Sequence, residues 1–321
     1  MKIDVRRMVL TTMVVCFLAA CAAKPGSKAP PGLDTRPVDL ARGRGVAVLT
    51  GAGQPVTWAA LIEACANADA VVVGENHGHD LGLTFAAAVW HDVAAKAEHS
   101  ALALEFFERD EQSRLDDYLA GLGDEKAFTT RTGRTASNYP PGHRAMVERA
   151  KELGRPVIAA NAPRPYVRLV RQQGYGALDR LTPEQARLVR IPDELLGGRY
   201  REAFEALMRP GVEQGHGGTP PTPDEIATRL EGFYRSQQTW DWTMGESVVR
   251  ALEVGRRPVL LVIGRFHSDF EGGTVQVIRR LRPGVRAITI SMIDANADGL
   301  RVEDRGRGDF VVYVGSNEPR P

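Results

Sequence analysis

Six short, mainly apolar runs most constrain what this chain can become: residues 70–73, 101–104, 156–160, 259–263, 287–291 and 310–314. Strands covered on both faces read as such runs, and helical stretches lie between most of them. The expected fold is therefore α/β, a mostly parallel mixed β-sheet flanked by helices. The last run is expected to pair antiparallel with its predecessor, because the Gly-rich stretch through Gly299 and Gly306 leaves no room for a crossover helix. Ligands of such sheets bind beyond the carboxyl ends of the strands. His77, Glu105, Asn161 and His267 all fall at or just past those ends.

Two of the runs end in the same pattern, Gly74-Glu75-Asn76-His77 and Gly264-Arg265-Phe266-His267, and the two histidines lie 190 residues apart. Glycine permits a tight turn at a strand end, from which an imidazole can point across the sheet edge. Two imidazoles and a carboxylate can hold a divalent transition metal, so His77, His267 and Glu105 form a candidate metal set. The plain alternative is that each histidine bonds locally in its loop. Glu105 interrupts an apolar run, where a charge needs a partner. Glu75 reads either as a proton carrier with Glu105 or as a helix-entry carboxylate near exposed amides.

Two longer stretches, at about 107–150 and 165–245, are mainly helical insertions that can form a smaller helical lid subdomain. Arg164, stiffened between two prolines, suits an acidic ligand group through its planar fork, or a structural salt bridge. Tyr166 follows that turn. In the last long helix Tyr234, Gln237, Asp241, Met244 and Val248 share one stripe, able to face the strand ends. His216 lies in a Gly-rich loop able to close over a ligand.

The amino terminus reads as a targeting segment. Lys2, Arg6 and Arg7 precede an apolar stretch, residues 8–20, too short for an ordinary bilayer span, ending in Leu-Ala-Ala-Cys21. Residues 1–21 thus resemble a bacterial lipoprotein signal with Cys21 as the acylated residue. Residues 22–45 read as a flexible tether, and 46–315 as the folded domain. Losing residues 1–20 removes three basic groups and one acidic group, taking the net charge from +1 to −1. That balance favours no nucleic acid, and anchoring falls to the acyl chains. Cys16 is lost with the signal, which leaves Cys65 without an intrachain partner and excludes a disulfide scaffold.

The residues 71-Val-Val-Val-Gly-Glu-Asn-His-77, 103-Ala-Leu-Glu-Phe-Phe-107, 158-Ile-Ala-Ala-Asn-Ala-Pro-Arg-164, 236-Ser-Gln-Gln-Thr-Trp-Asp-Trp-Thr-Met-244 and 262-Val-Ile-Gly-Arg-Phe-His-267 together resemble the ChaN-like haem-binding uptake lipoproteins. The resemblance spans about residues 45–315 and extends to the wider Tiki, TraB and erythromycin esterase-like superfamily. The chain departs from the family pattern at Gly78, at Leu81-Gly82 and at Arg265-Phe266.

The resemblance implies attachment to the bacterial envelope, and Ala22 in place of aspartate after Cys21 favours lipid anchoring at the outer membrane, facing the periplasm. It implies binding of haem or another iron-bearing ligand for iron uptake. Arg164, Tyr166, His216, Tyr234 and Gln237 are then the cofactor-binding candidates, and a homodimer can share the ligand. A metal-dependent peptidase or esterase is the alternative. It would use zinc, manganese or cobalt on His77, Glu105 and His267, with Glu75 or Glu105 moving the proton. A non-catalytic interaction module of the envelope is a third reading.

Overall fold

All six apolar runs are strands of one eight-stranded sheet, in the computed structural model that describes residues 33–214 and 220–316. The strands are β1 (Val48–Thr50), β2 (Pro55–Val56), β3 (Ala70–Glu75), β4 (Ala101–Glu108), β5 (Val157–Asn161), β6 (Val259–Gly264), β7 (Ala287–Ile293) and β8 (Phe310–Tyr313). They lie in the order β2-β1-β8-β7-β3-β6-β4-β5, parallel from β8 to β5, with β1 antiparallel to β2 and β8. The last run corrects the expectation, since β8 pairs parallel with β7 and is antiparallel only to β1. Residues 294–309 make that crossover with a single 3-10 turn, Val302–Asp304. A parallel return needs chain length, which this stretch has, and a helix is only its usual filling.

Alternation along the strands divides the core in two. Val71 and Val73 of β3, with Leu260 and Val262 of β6, face Phe85 and Trp90 of α3 (Asp80–Lys96) and Met146 of α6 (Pro141–Glu152). Ala70 and Val72, with Leu261 and Ile263, face Met244, Val248 and Leu252 of α10 (Pro223–Glu253) and Val275 and Ile278 of α11 (Gly273–Leu281). Thr57 caps α2 (Trp58–Ala66) by accepting from the Ala60 amide, and Thr222 opens α10 with a capping box.

Two sets of helices extend from the sheet, and they are rooted differently. In the first, α4 (Gln112–Leu119) and α5 (Glu125–Arg131) send Leu115, Tyr118 and Phe128 into the main core with Phe107 and Tyr139. The second contains α7 (Arg164–Gln173), α8 (Pro183–Ala186) and α9 (Gly198–Glu213) and builds two clusters of its own. Tyr200, Phe204 and Tyr234 centre one, and Val167, Val170 and Leu178 the other.

Residues 40–44, read from sequence as tether, form a helix, α1 (Leu40–Arg44), with Gly43 against the Thr84 carbonyl. Among the described residues no helix is long and apolar enough to cross a membrane. The signal segment, Cys21, residues 22–32 and His216 lie outside the described residues.

Candidate functional site

The two Gly-x-x-His motifs interlock. Parallel pairing of β3 and β6 sets Glu75 opposite Gly264. A methyl group on Gly264 would stand 2.9 Å from Nε2 of His77 and 3.6 Å from Oε2 of Glu105. One on Gly74 would stand 2.3 Å from the Ser268 hydroxyl and 3.0 Å from Cα of Arg265. Each glycine therefore makes room for the other motif. Neither has a left-handed backbone, and Gly264 has φ −57°. Close approach, and not the tight turn expected from the sequence, is the reason for glycine at both.

His77 projects from the end of β3 with its side chain 55% exposed. Its Nδ1–H donates to Oε1 of Glu75 at 3.1 Å, which turns Nε2 toward Gly264. Glu75 is buried, and its Oε2 accepts from Nε2–H of His143 at 3.0 Å. Burial by itself raises the Glu75 pKa, yet the charge and hydrogen bond of His143 and the bond from His77 win, bringing it down to about 2. Glu75 is thus a carboxylate between two imidazoles, not a helix-entry group.

His267, on the 3-10 turn Arg265–His267, is only 6% exposed. Its Nδ1–H donates to Oδ1 of Asp241 at 2.7 Å. Asp241 also accepts from Thr274 at 2.8 Å and from the Tyr200 hydroxyl at 2.6 Å, so a fully buried carboxylate is satisfied on both oxygens. It sits against the first turn of α11, where a Cβ on Gly273 would stand 2.2 Å from its Oδ2 and the helix terminus favours negative charge. Gln237 donates to the Tyr200 hydroxyl at 2.8 Å and lies 3.2 Å from Nδ1 of His267. Burial lowers the His267 pKa, but the charge and hydrogen bond of Asp241, with Glu105 behind them, raise it on balance.

Glu105 lies where the pairing of β4 with β5 slips register, between Leu104 and Glu108, an irregularity of the kind that re-aims a side chain. Its Oε2 accepts the Gly264 amide at 2.6 Å, and its Oε1 stands 3.9 Å from Nε2 of His267. The partner its charge required is a backbone N–H. His77, Glu105 and His267 therefore do converge around Gly264. Among the described residues, no three His, Cys, Asp or Glu side chains are grouped so that they could hold a metal ion.

The remaining candidates are spread more widely. Arg164 is 76% exposed and pairs with Glu108 at 3.2 Å. Tyr166 packs on the small cluster of Val167 and Leu178. Tyr234 is enclosed, with its hydroxyl donating to the Leu196 carbonyl, and Gln237 is equally buried. His79, a neighbour of the first motif, accepts the Gly82 amide at 3.1 Å as the N-cap of α3, and its other nitrogen donates to the Gly315 carbonyl at 2.9 Å. Sequence reasoning missed the link from His143 to Glu75, which joins residues 68 positions apart. The Tyr234–Val248 stripe did signal Asp241, since two of its members reach His267.

Comparison with known proteins follows the same lines. A family profile described as haem-binding uptake, Tiki superfamily, ChaN matches residues 61–278. No curated protein matches. A solved structure described as cofacial heme binding to ChaN of Campylobacter jejuni superposes with a TM-score of 0.64 at 14% identity, covering 83% of this chain and 96% of that one. The type III effector HopBA1 gives a TM-score of 0.42 at 12% identity, covering 81% and 93%. An erythromycin esterase mutant, EreC, in its open conformation gives 0.42 at 15%, covering 78% and 76%.

Proposed function

This chain belongs to the haem-binding uptake family of the Tiki superfamily, ChaN, and on that footing we propose that it binds haem or another small iron-bearing ligand at the strand ends. The carrying observation is His77, a half-exposed imidazole whose Nδ1 is held by a buried, ionised carboxylate. That is how proteins orient a metal-facing histidine and raise its basicity. Histidine is an established axial ligand of haem iron. The donor chemistry therefore fits the group.

In this reading His77 faces the iron, and the exposed Arg164 meets an acidic group of the ligand. Tyr166 and His216 remain candidates for contact. Tyr234 and Gln237 act indirectly, because their polar atoms already bond to Leu196 and Tyr200. The ChaN structure named above is described with cofacial haem, which supports haem as the ligand, and a homodimer that shares the ligand is part of the proposal. We place the protein in the bacterial envelope, anchored through acylated Cys21 at the outer membrane and facing the periplasm, in iron uptake.

Haem titration of the purified chain tests the reading. A saturable shift of the Soret band is expected, with affinity lowered roughly tenfold or more in His77→Ala. A spectrum that never saturates would overturn it. One observation favours the second reading, a His/Glu hydrolase: both imidazoles have Nδ1 on a buried carboxylate and converge on Glu105. Stoichiometric zinc, manganese or cobalt, lost in His77→Ala and His267→Ala along with peptide or ester hydrolysis, would establish it instead.

A further inference from the structure

The family likeness draws attention to the strand ends, but the buried side of Glu75 carries an assignment of its own. We propose that His143 is a positioning residue, the inner member of a His143–Glu75–His77 relay that fixes which nitrogen His77 presents at the strand ends. The proposal rests on the reading of His77 as the ligand-facing imidazole.

Three observations carry it. First, His143 is 1% exposed, and its Nε2 gives Oε2 of Glu75 a bond of 3.0 Å, while Oε1 takes the bond from His77. With both oxygens engaged, the carboxylate has one orientation, and that orientation holds the Nδ1–H tautomer of His77. Second, Nδ1 of His143 has no hydrogen-bond partner among the described residues. A buried polar atom left that way is costly, so packing alone would favour a phenyl ring here. What the imidazole adds is the bond to Glu75.

Third, the backbone is built to deliver this ring. Gly142 lies so close to α3 that a Cβ there would stand 2.7 Å from the Leu83 side chain and 2.8 Å from its carbonyl. On its other side the His143 ring meets Phe106 edge-on, with centroids 3.7 Å apart. Phe106 follows Glu105 directly, so one buried ring braces both the holder of His77 and the strand end that aims Glu105.

Carbethoxylation by diethyl pyrocarbonate, read peptide by peptide in the full chain without haem, tests the relay independently of haem binding. The reagent attacks an unprotonated imidazole nitrogen, and exposed His99 is an internal reference. His143→Phe keeps a ring against Phe106 but removes the donor. The ratio of His77 to His99 labelling should fall, because an imidazole whose Nδ1–H is held by a carboxylate is the more basic nucleophile. His143→Gln, which keeps an N–H donor, should restore most of it.

A merely structural His143 would leave the ratio unchanged, or would raise labelling of buried His79 as the fold opens. An unchanged ratio in a closed fold overturns the proposal. If His143→Phe opens the fold, Glu75→Gln carries the test. It should lower the ratio alike, and an undiminished ratio there overturns the relay as well.

Discussion

His77 and His267 occupy the same place in the same motif, on neighbouring parallel strands, and live in opposite surroundings. One is 55% exposed and the other 6%. Each has Nδ1 on a buried carboxylate, but Glu75 is shared with a second imidazole, whereas Asp241 is shared with two hydroxyls. The motif therefore fixes where an imidazole stands, and the elements packed behind it decide what that imidazole can do. The His267 ring is enclosed within the scaffold, and the His77 ring lies half in solvent.

Asp241→Ala should separate the two sides most sharply. It strands His267, Thr274 and Tyr200 in the interior and should cost about 3–5 kcal/mol in urea unfolding, as removing one member of a buried ionic pair does. Glu75→Ala should cost less, since it strands one buried ring, His143, while half-exposed His77 can turn to water. Comparable losses in both variants would erase the distinction.

Acid and alkali should then act on different motifs. Glu75 has a folded pKa of about 2 against an ordinary 4.5, so its contribution is present above 4.5 and is lost as pH falls toward 2. The His267 pKa is raised from 6.5, so its contribution is complete below 6.5 and is lost as pH rises through the folded value. Stability measured across pH should lose its acid limb in Glu75→Gln and its alkaline limb in His267→Gln. The Glu75 limb is expected to be on the order of 3 kcal/mol.

The glycines give smaller and unequal effects. Gly74→Ala drives a methyl against Cα of Arg265 and should cost about 1–3 kcal/mol in thermal unfolding. Gly264→Ala meets the tip of a movable imidazole, so its cost should stay below about 1 kcal/mol while haem affinity falls roughly tenfold. Arg164→Ala, at an exposed ion pair, should change stability by less than about 1 kcal/mol and register only in ligand binding.

The same contrast explains what could be read from the chain. The central strands were legible because both faces are covered, which leaves unbroken apolar runs such as Val71-Val72-Val73. β1 and β2 escaped because strands of three and two residues carry no periodicity. The direction of β8 was misjudged because a crossover was equated with a helix. Convergence of His77, Glu105 and His267 followed from strand ends alone. The bond from His143 to Glu75 stayed hidden because it is fixed by how α6 packs on α3, a tertiary contact with no local signature.

Strand β3 has two sheet neighbours, β6 and β7, and both come from the last third of the chain. During synthesis an entirely apolar segment, Ala70–Val73, thus precedes by nearly the whole domain the strands that will shield its edges. Such non-local parallel pairing forms slowly and leaves the segment prone to aggregate while it waits. Arrival of β6 beside β3 brings Gly264 to His77 in the same step. On the proposed reading, folding of the sheet and completion of the ligand site are in this chain one event.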